Sequence, residues 1–220
     1  MKCALLLSTA ALLACRPLFA ATTADAPDVD ESGLTPDDWA TSIDYDVSYD
    51  DQIAQGYDDG YDPRAYEQFR DTLAPYGAWV DDPDYGTVWV PSTASVGADF
   101  SPYATSGGWT DSEYGWTWVS DFAWGWAPFH YGRWTTIAGH GWAWVPGTIW
   151  GPAWVSWRAG AGYVGWAPLP PRGVRLAEPL GADSCWRFAD AADFGRSRGT
   201  YLRAPAVRRL FGGMSVVSNP

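Results

Sequence analysis

The chain has 220 residues, with 26 acidic against 14 basic side chains, 16 tryptophans and three cysteines. A formal net charge of −12 repels nucleic acid and anionic lipid, so neither is an expected partner. Three cysteines make no disulfide framework, so stability has to come from a packed core.

Residues 1–20 read as an export signal: Lys2, an apolar run from Ala4 to Ala14, then a short segment to Ala20. The run is shorter than the roughly 20 apolar residues that cross a bilayer, and no later stretch is longer, so no transmembrane span is expected. Two exits are open. Leu12-Leu13-Ala14-Cys15 resembles a lipobox, which would make Cys15 a lipidated first residue and a lipid anchor. Leu18-Phe19-Ala20 instead offers ordinary signal cleavage, and Arg16 interrupts the lipobox neighbourhood. Either exit places the protein in the periplasm or cell envelope.

Residues 21–62 form an acidic spacer. Between Asp25 and Glu67 fourteen acids face one base, Arg64, and no apolar period is sustained, so disorder is expected. Asp58-Asp59-Gly60-Tyr61-Asp62 hints at calcium, but its acids are adjacent rather than alternating, and Arg64 and Ala65 stand where ligands would be needed. No metal site and no cofactor are expected.

Pro63 to Leu73 reads as one short helix, with Tyr66, Phe69 and Leu73 on one stripe and Pro75 as its stop. Four related units then follow, opened by LAPY (73–76), FSPY (100–103), WAPF (126–129) and WGPA (150–153). Fourteen tryptophans lie between Trp79 and Trp166, and eight of them make four pairs nine or ten residues apart: Trp79/Trp89, Trp109/Trp118, Trp134/Trp144 and Trp157/Trp166. The stretches between partners are DDPDYG, TDSEYG, TTIAGHG and RAGAGYVG, rich in residues that tolerate turn dihedrals. Short aromatic and β-branched runs joined by such turns predict β-hairpins. The fold class is therefore all-β: antiparallel tandem hairpin repeats over residues 63–171, stacked or barrel-like, with one short helix before them and a disordered N-terminal tail. The second strands alternate Trp116/Trp118 against Thr117/Val119 and Trp142/Trp144 against Ala143/Val145, so both faces are expected to be covered. Such strands, nearer five than ten residues, are short for an outer-membrane barrel.

Between Ala74 and Pro168 there is no leucine, methionine or cysteine, so the indoles have to be the core. Two or three could still form surface platforms, because tryptophan is rarely buried completely. Other chemistry is sparse. His130 and His140 are the only histidines, and His130 reads as a hydrogen-bonded packing residue. Cys185 has no histidine in its own segment, and Asp81, Asp82 and Glu113 lie in turns, where acids are the default. No catalytic residue is assigned. Tyr131, Arg133 and Arg158 are the candidate binding residues, as donors beside aromatic faces. Residues 172–220 carry eight arginines against four acids and are expected to pack partly on the domain. Trp186-Arg187-Phe188 would be a last strand, with a frayed end from Gly212 onward.

APYGAW, HYGRW, GWAWVPG, PAWVSWR and YVGWAPLPP, in this order, resemble a family of exported bacterial Trp/Tyr/Pro-rich proteins of unknown function. The likeness covers roughly residues 66–171, with a weaker echo in SCWRF (184–188), and carries no assigned activity. The functional expectation is a non-catalytic cell-envelope protein, a binding or structural module. Its expected partners are a cell-wall glycan or another envelope protein. The alternative is an enzyme acting on an envelope polysaccharide.

Overall fold

The computed structural model describes residues 61–174, 185–196, 201–203 and 213–217. The expected export signal, Cys15 and nearly all of the expected acidic spacer lie outside the described residues.

Helix α1 (Tyr66–Leu73) begins three residues after Pro63, the expected start, and at the first residue of its apolar stripe. Pro63 to Ala65 form a turn instead, held by Asp62, whose carboxylate accepts from the Arg64 N–H at 2.8 Å and whose carbonyl accepts from the Ala65 N–H at 2.8 Å. Phe69 and Leu73, four apart, bury one face of the helix. The α-helix ends at Leu73, and the chain leaves through a single 3-10 turn, Ala74–Tyr76, that contains Pro75.

All four expected hairpins form. They are β1 (Gly77–Asp82) with β2 (Gly86–Pro91), β3 (Gly107–Ser112) with β4 (Gly115–Ser120), β5 (Arg133–Ile137) with β6 (Gly141–Val145), and β7 (Val155–Gly160) with β8 (Tyr163–Pro168). The spacing of the tryptophans is explained by register. Trp79 stands opposite Trp89, Trp109 opposite Trp118, Trp134 opposite Trp144, and Trp157 opposite Trp166. Nine or ten residues are what two half-strands and a tight turn need to bring the two rings to one face.

The hairpins neither stack as equals nor close into a barrel among the described residues. The first and third share a four-stranded sheet, order β1-β2-β6-β5, joined where Trp89 faces Trp144. The second stands alone as β3-β4, and the fourth is the centre of a five-stranded sheet, order β10-β9-β8-β7-β11. Its added strands are β9 (Arg187–Asp190), β10 (Leu202–Arg203) and β11 (Met214–Val217). The packed unit thus runs past residue 171, and part of the end expected to fray is paired: Met214 to Val217 lie along β7, with Met214 buried. A second helix that the sequence reading missed, α2 (Thr93–Val96), is capped by Ser92, whose Oγ accepts from the Ser95 N–H.

One aromatic core joins the three sheets. Trp89, Trp109, Trp118, Trp124, Trp134, Trp144, Trp157 and Trp166 are all buried in it, with Phe69, Leu73, Tyr103 and Phe129. Tyr103 is the junction. Its hydroxyl donates to the Phe129 carbonyl at 3.1 Å and accepts from the Trp154 N–H at 3.2 Å, while its carbonyl accepts from Trp166 Nε1 at 2.8 Å. Burial pushes that phenol well above its usual range, so it stays a neutral donor. The opposite face of the four-stranded sheet carries a small aliphatic core of Val88, Ile137, Ala143 and Val145. Both faces of β6 are therefore covered, as its alternation suggested. Those of β4 are not: Val119 is 41 % exposed, because the two-stranded sheet lays only its indole face on the core.

A further regularity sits two residues before the first tryptophan of three pairs. Gly77, Gly107 and Gly132 each lie flat against the second tryptophan. A Cβ there would stand 2.6 Å from Trp89 Nε1, 2.6 Å from the Trp118 ring and 2.8 Å from Trp144 Nε1, respectively. The motif Gly-x-Trp is thus a packing rule: the backbone of one strand is the floor on which the facing indole rests. In the fourth unit Val155 takes that place.

Candidate functional site

The three residues expected to contact a ligand are not gathered at the surface. Arg133 is 4 % exposed, its guanidinium 3.7 Å above the centre of the Trp154 ring and its Nη1 donating to the Gly132 carbonyl at 2.9 Å. Arg158 is also buried, 5.5 Å from the Trp186 ring, and belongs to a different sheet. Both cations are turned inward, where a desolvated indole face is attractive to them. Tyr131 is half-buried, with its ring 5.5 Å from Phe69 and its carbonyl accepting from Trp144 Nε1 at 2.7 Å. These side chains hold the fold.

The surface offers other aromatics. Tyr114 is 59 %, Trp126 50 % and Trp150 41 % exposed. Tyr114 occupies the tip of the β3–β4 hairpin, where Ser112 pairs with Gly115 and leaves only Glu113 and Tyr114 between them. Gly115 supplies the positive φ of 84° that closes so tight a turn, and the Ser112 hydroxyl accepts from the Tyr114 N–H at 3.1 Å. The turn points the phenol at Trp150: the ring centres are 5.0 Å apart, edge to face.

Trp150 also meets His130. The two rings are nearly parallel, 14° apart, with centres 5.7 Å from each other. The loop carrying Trp150 is pinned to the same residue, because the His130 carbonyl accepts from the Gly151 N–H at 2.8 Å and from Trp154 Nε1 at 3.0 Å. His130 Nδ1 lies 2.9 Å from the Gly151 carbonyl, which can only accept, so Nδ1 carries the proton. His130 is therefore the hydrogen-bonded packing residue that its sequence context suggested, and what it packs is the exposed indole. His140 is exposed, with Nδ1 3.2 Å from the Ala138 carbonyl.

Burial holds the His130 imidazole below its usual range, outweighing the carbonyls of Gly151 and Pro152, which favour the protonated ring. Below about pH 6.5 the unfolded chain takes up a proton that the folded ring resists, so acidification favours unfolding. Urea midpoints should accordingly fall between about pH 7.5 and about pH 5.5, and His130→Gln should flatten that part of the dependence. An identical slope in the variant would show that His130 does not contribute to it.

Sequence reasoning passed over Trp126 and Trp150 although a signal was present. Both are the opening residue of their units, WAPF and WGPA, where the first two units have Leu73 and Phe100. Leu73 is fully buried at that position, whereas the later units carry indoles there and expose them. Tyr114 was visible only as a turn residue.

Residues 70–173 match the family model described as a family of unknown function, DUF6600. The match contains all four hairpins and the residues Tyr114, Trp126, His130 and Trp150, while β9, β10 and β11 lie beyond it. Neither the search of curated proteins nor that of solved structures returned a match. No helix among the described residues is long and apolar enough to cross a membrane, which leaves strand-based crossing unaddressed.

Proposed function

We propose that the protein is a non-catalytic module of the bacterial cell envelope, exported by its N-terminal signal, that binds a neutral envelope glycan through the Tyr114–Trp150 platform. The observation that carries this reading is Trp150 itself: a large indole, 41 % exposed, held in place by ring contacts with His130 and Tyr114. A flat indole face suits the apolar C–H face of a sugar ring, and a ring already fixed loses little entropy on binding. Charge selects the ligand class. Asp111 and Glu113 are exposed on the same β3–β4 hairpin as Tyr114, and the net charge of −12 disfavours anionic polymers.

Trp150→Ala should weaken binding to neutral polysaccharides and purified peptidoglycan by at least about tenfold, equivalent to about 1.4 kcal/mol, in tryptophan-fluorescence titration and pull-down. Its urea midpoint should stay close to that of the unmodified protein. If the unmodified protein binds none of these polymers, the glycan reading fails and a protein partner takes its place. Release of soluble sugar from the bound polymer would favour the enzymatic alternative.

A further inference from the structure

We propose that Trp126 is a second sugar platform, and that Trp126, His130, Trp150 and Tyr114 form one ribbon fitted to a glycan strand of several sugar rings. The proposal rests on the glycan reading and adds ligand length to it.

Three observations carry the proposal. The first is local geometry. Between Gly125 and Tyr131 the backbone coils, with Phe129 N–H donating to the Gly125 carbonyl and Tyr131 N–H to the Ala127 carbonyl. On such a coil residues four apart project to the same side. Burial agrees: Trp124, Ala127, Pro128 and Phe129 are buried, while Trp126 is exposed and His130 is only partly covered. Along this coil Trp126 is the one exposed side chain, and His130 and Tyr131 are partly covered.

The second is continuity. His130 stacks against Trp150 at 5.7 Å, and Trp150 meets Tyr114 at 5.0 Å. Trp126 lies four residues before His130 on the same coil. Trp126 is held by Phe69 of α1, 6.0 Å away and itself buried.

The third is repetition. Trp126 and Trp150 open consecutive units of the repeat, the position at which the first unit buries Leu73. A core-forming position has been turned to the surface twice, with the same residue type. Two indoles along one path make length the discriminating property of the ligand: a single ring can occupy one platform, whereas a longer strand can reach both. Linking two weak contacts on one molecule raises affinity without any new type of contact.

The test is a length series of neutral, β-linked glucose and N-acetylglucosamine oligomers, titrated against the full chain by calorimetry. Affinity for the unmodified protein should climb with oligomer length. Trp126→Leu, which keeps an apolar side chain on Phe69 but removes the flat ring, should leave the shortest bound oligomers unaffected and lose about tenfold for the longest. Trp126→Tyr should recover most of that loss, and Trp150→Ala should weaken binding at every length. Near-ultraviolet circular dichroism of each variant checks that the core is intact. If Trp126→Leu binds the longest oligomers as tightly as the unmodified protein, the second platform is refuted while the Trp150 site stands. Failure of the unmodified protein to bind any oligomer or polymer overturns both.

Discussion

Trp144→Ala should cost about 3–5 kcal/mol of folding stability, the usual figure for emptying a large buried aromatic site. Trp144 is fully buried, packs edge-on against Phe69 at 5.1 Å, and stands opposite Trp134 on β5 and Trp89 on β2. Its indole N–H donates to the Tyr131 carbonyl at 2.7 Å. Alanine would therefore open a cavity at the seam between the first and third hairpins and also strip an acceptor of its donor. No leucine or methionine lies between Ala74 and Pro168 to collapse into the space, which puts the cost in the upper half of the range. Urea unfolding followed by far-ultraviolet circular dichroism gives the number. A loss below about 1 kcal/mol would mean that the indole is not core.

Gly132→Ala should be of similar severity, about 3 kcal/mol or more, from two separable causes. Gly132 has φ 62°, a left-handed conformation that costs an L-residue roughly 1–2 kcal/mol. Its added Cβ would also overlap the Val145 carbonyl oxygen and stand 2.8 Å from Trp144 Nε1. A backbone oxygen in a strand cannot swing away as a side chain can, so the start of β5 would have to part from β6. Gly139 provides the control. Its φ is 78°, but nothing lies within 4 Å of a Cβ placed there, so Gly139→Ala should cost only the conformational term. The difference between the two variants measures the close approach alone. Equal losses would show that the backbone does not rest on the indole as described.

Much of the hairpin architecture was legible in the chain because it is local. A tryptophan, a turn-forming stretch and a second tryptophan nine or ten residues on can bring both rings to one face only by folding back between them. The absence of leucine likewise made the indoles core by default. Within that frame the repeated Gly-x-Trp could have been read as a close approach, since glycine stands at the same place in three of the four units.

What the tertiary structure alone decided is how the hairpins meet. The first and third share a sheet through the facing Trp89 and Trp144, while the second stands apart, and no local pattern distinguishes them. Pairing between distant strands is set by which rings interlock in a common core, a property of the whole set. The same holds for the charged residues. Arg133 and Arg158 looked like surface donors, yet a guanidinium can be kept inside when an indole face and backbone carbonyls replace its water. Trp126 and Trp150 went the other way and face solvent, while Trp124, Phe129 and Tyr103 fill the core. The sequence by itself determined that aromatic hairpins would form and that indoles would fill their core. Which indoles were left over to face solvent was decided by packing volume, which no single segment of the chain carries.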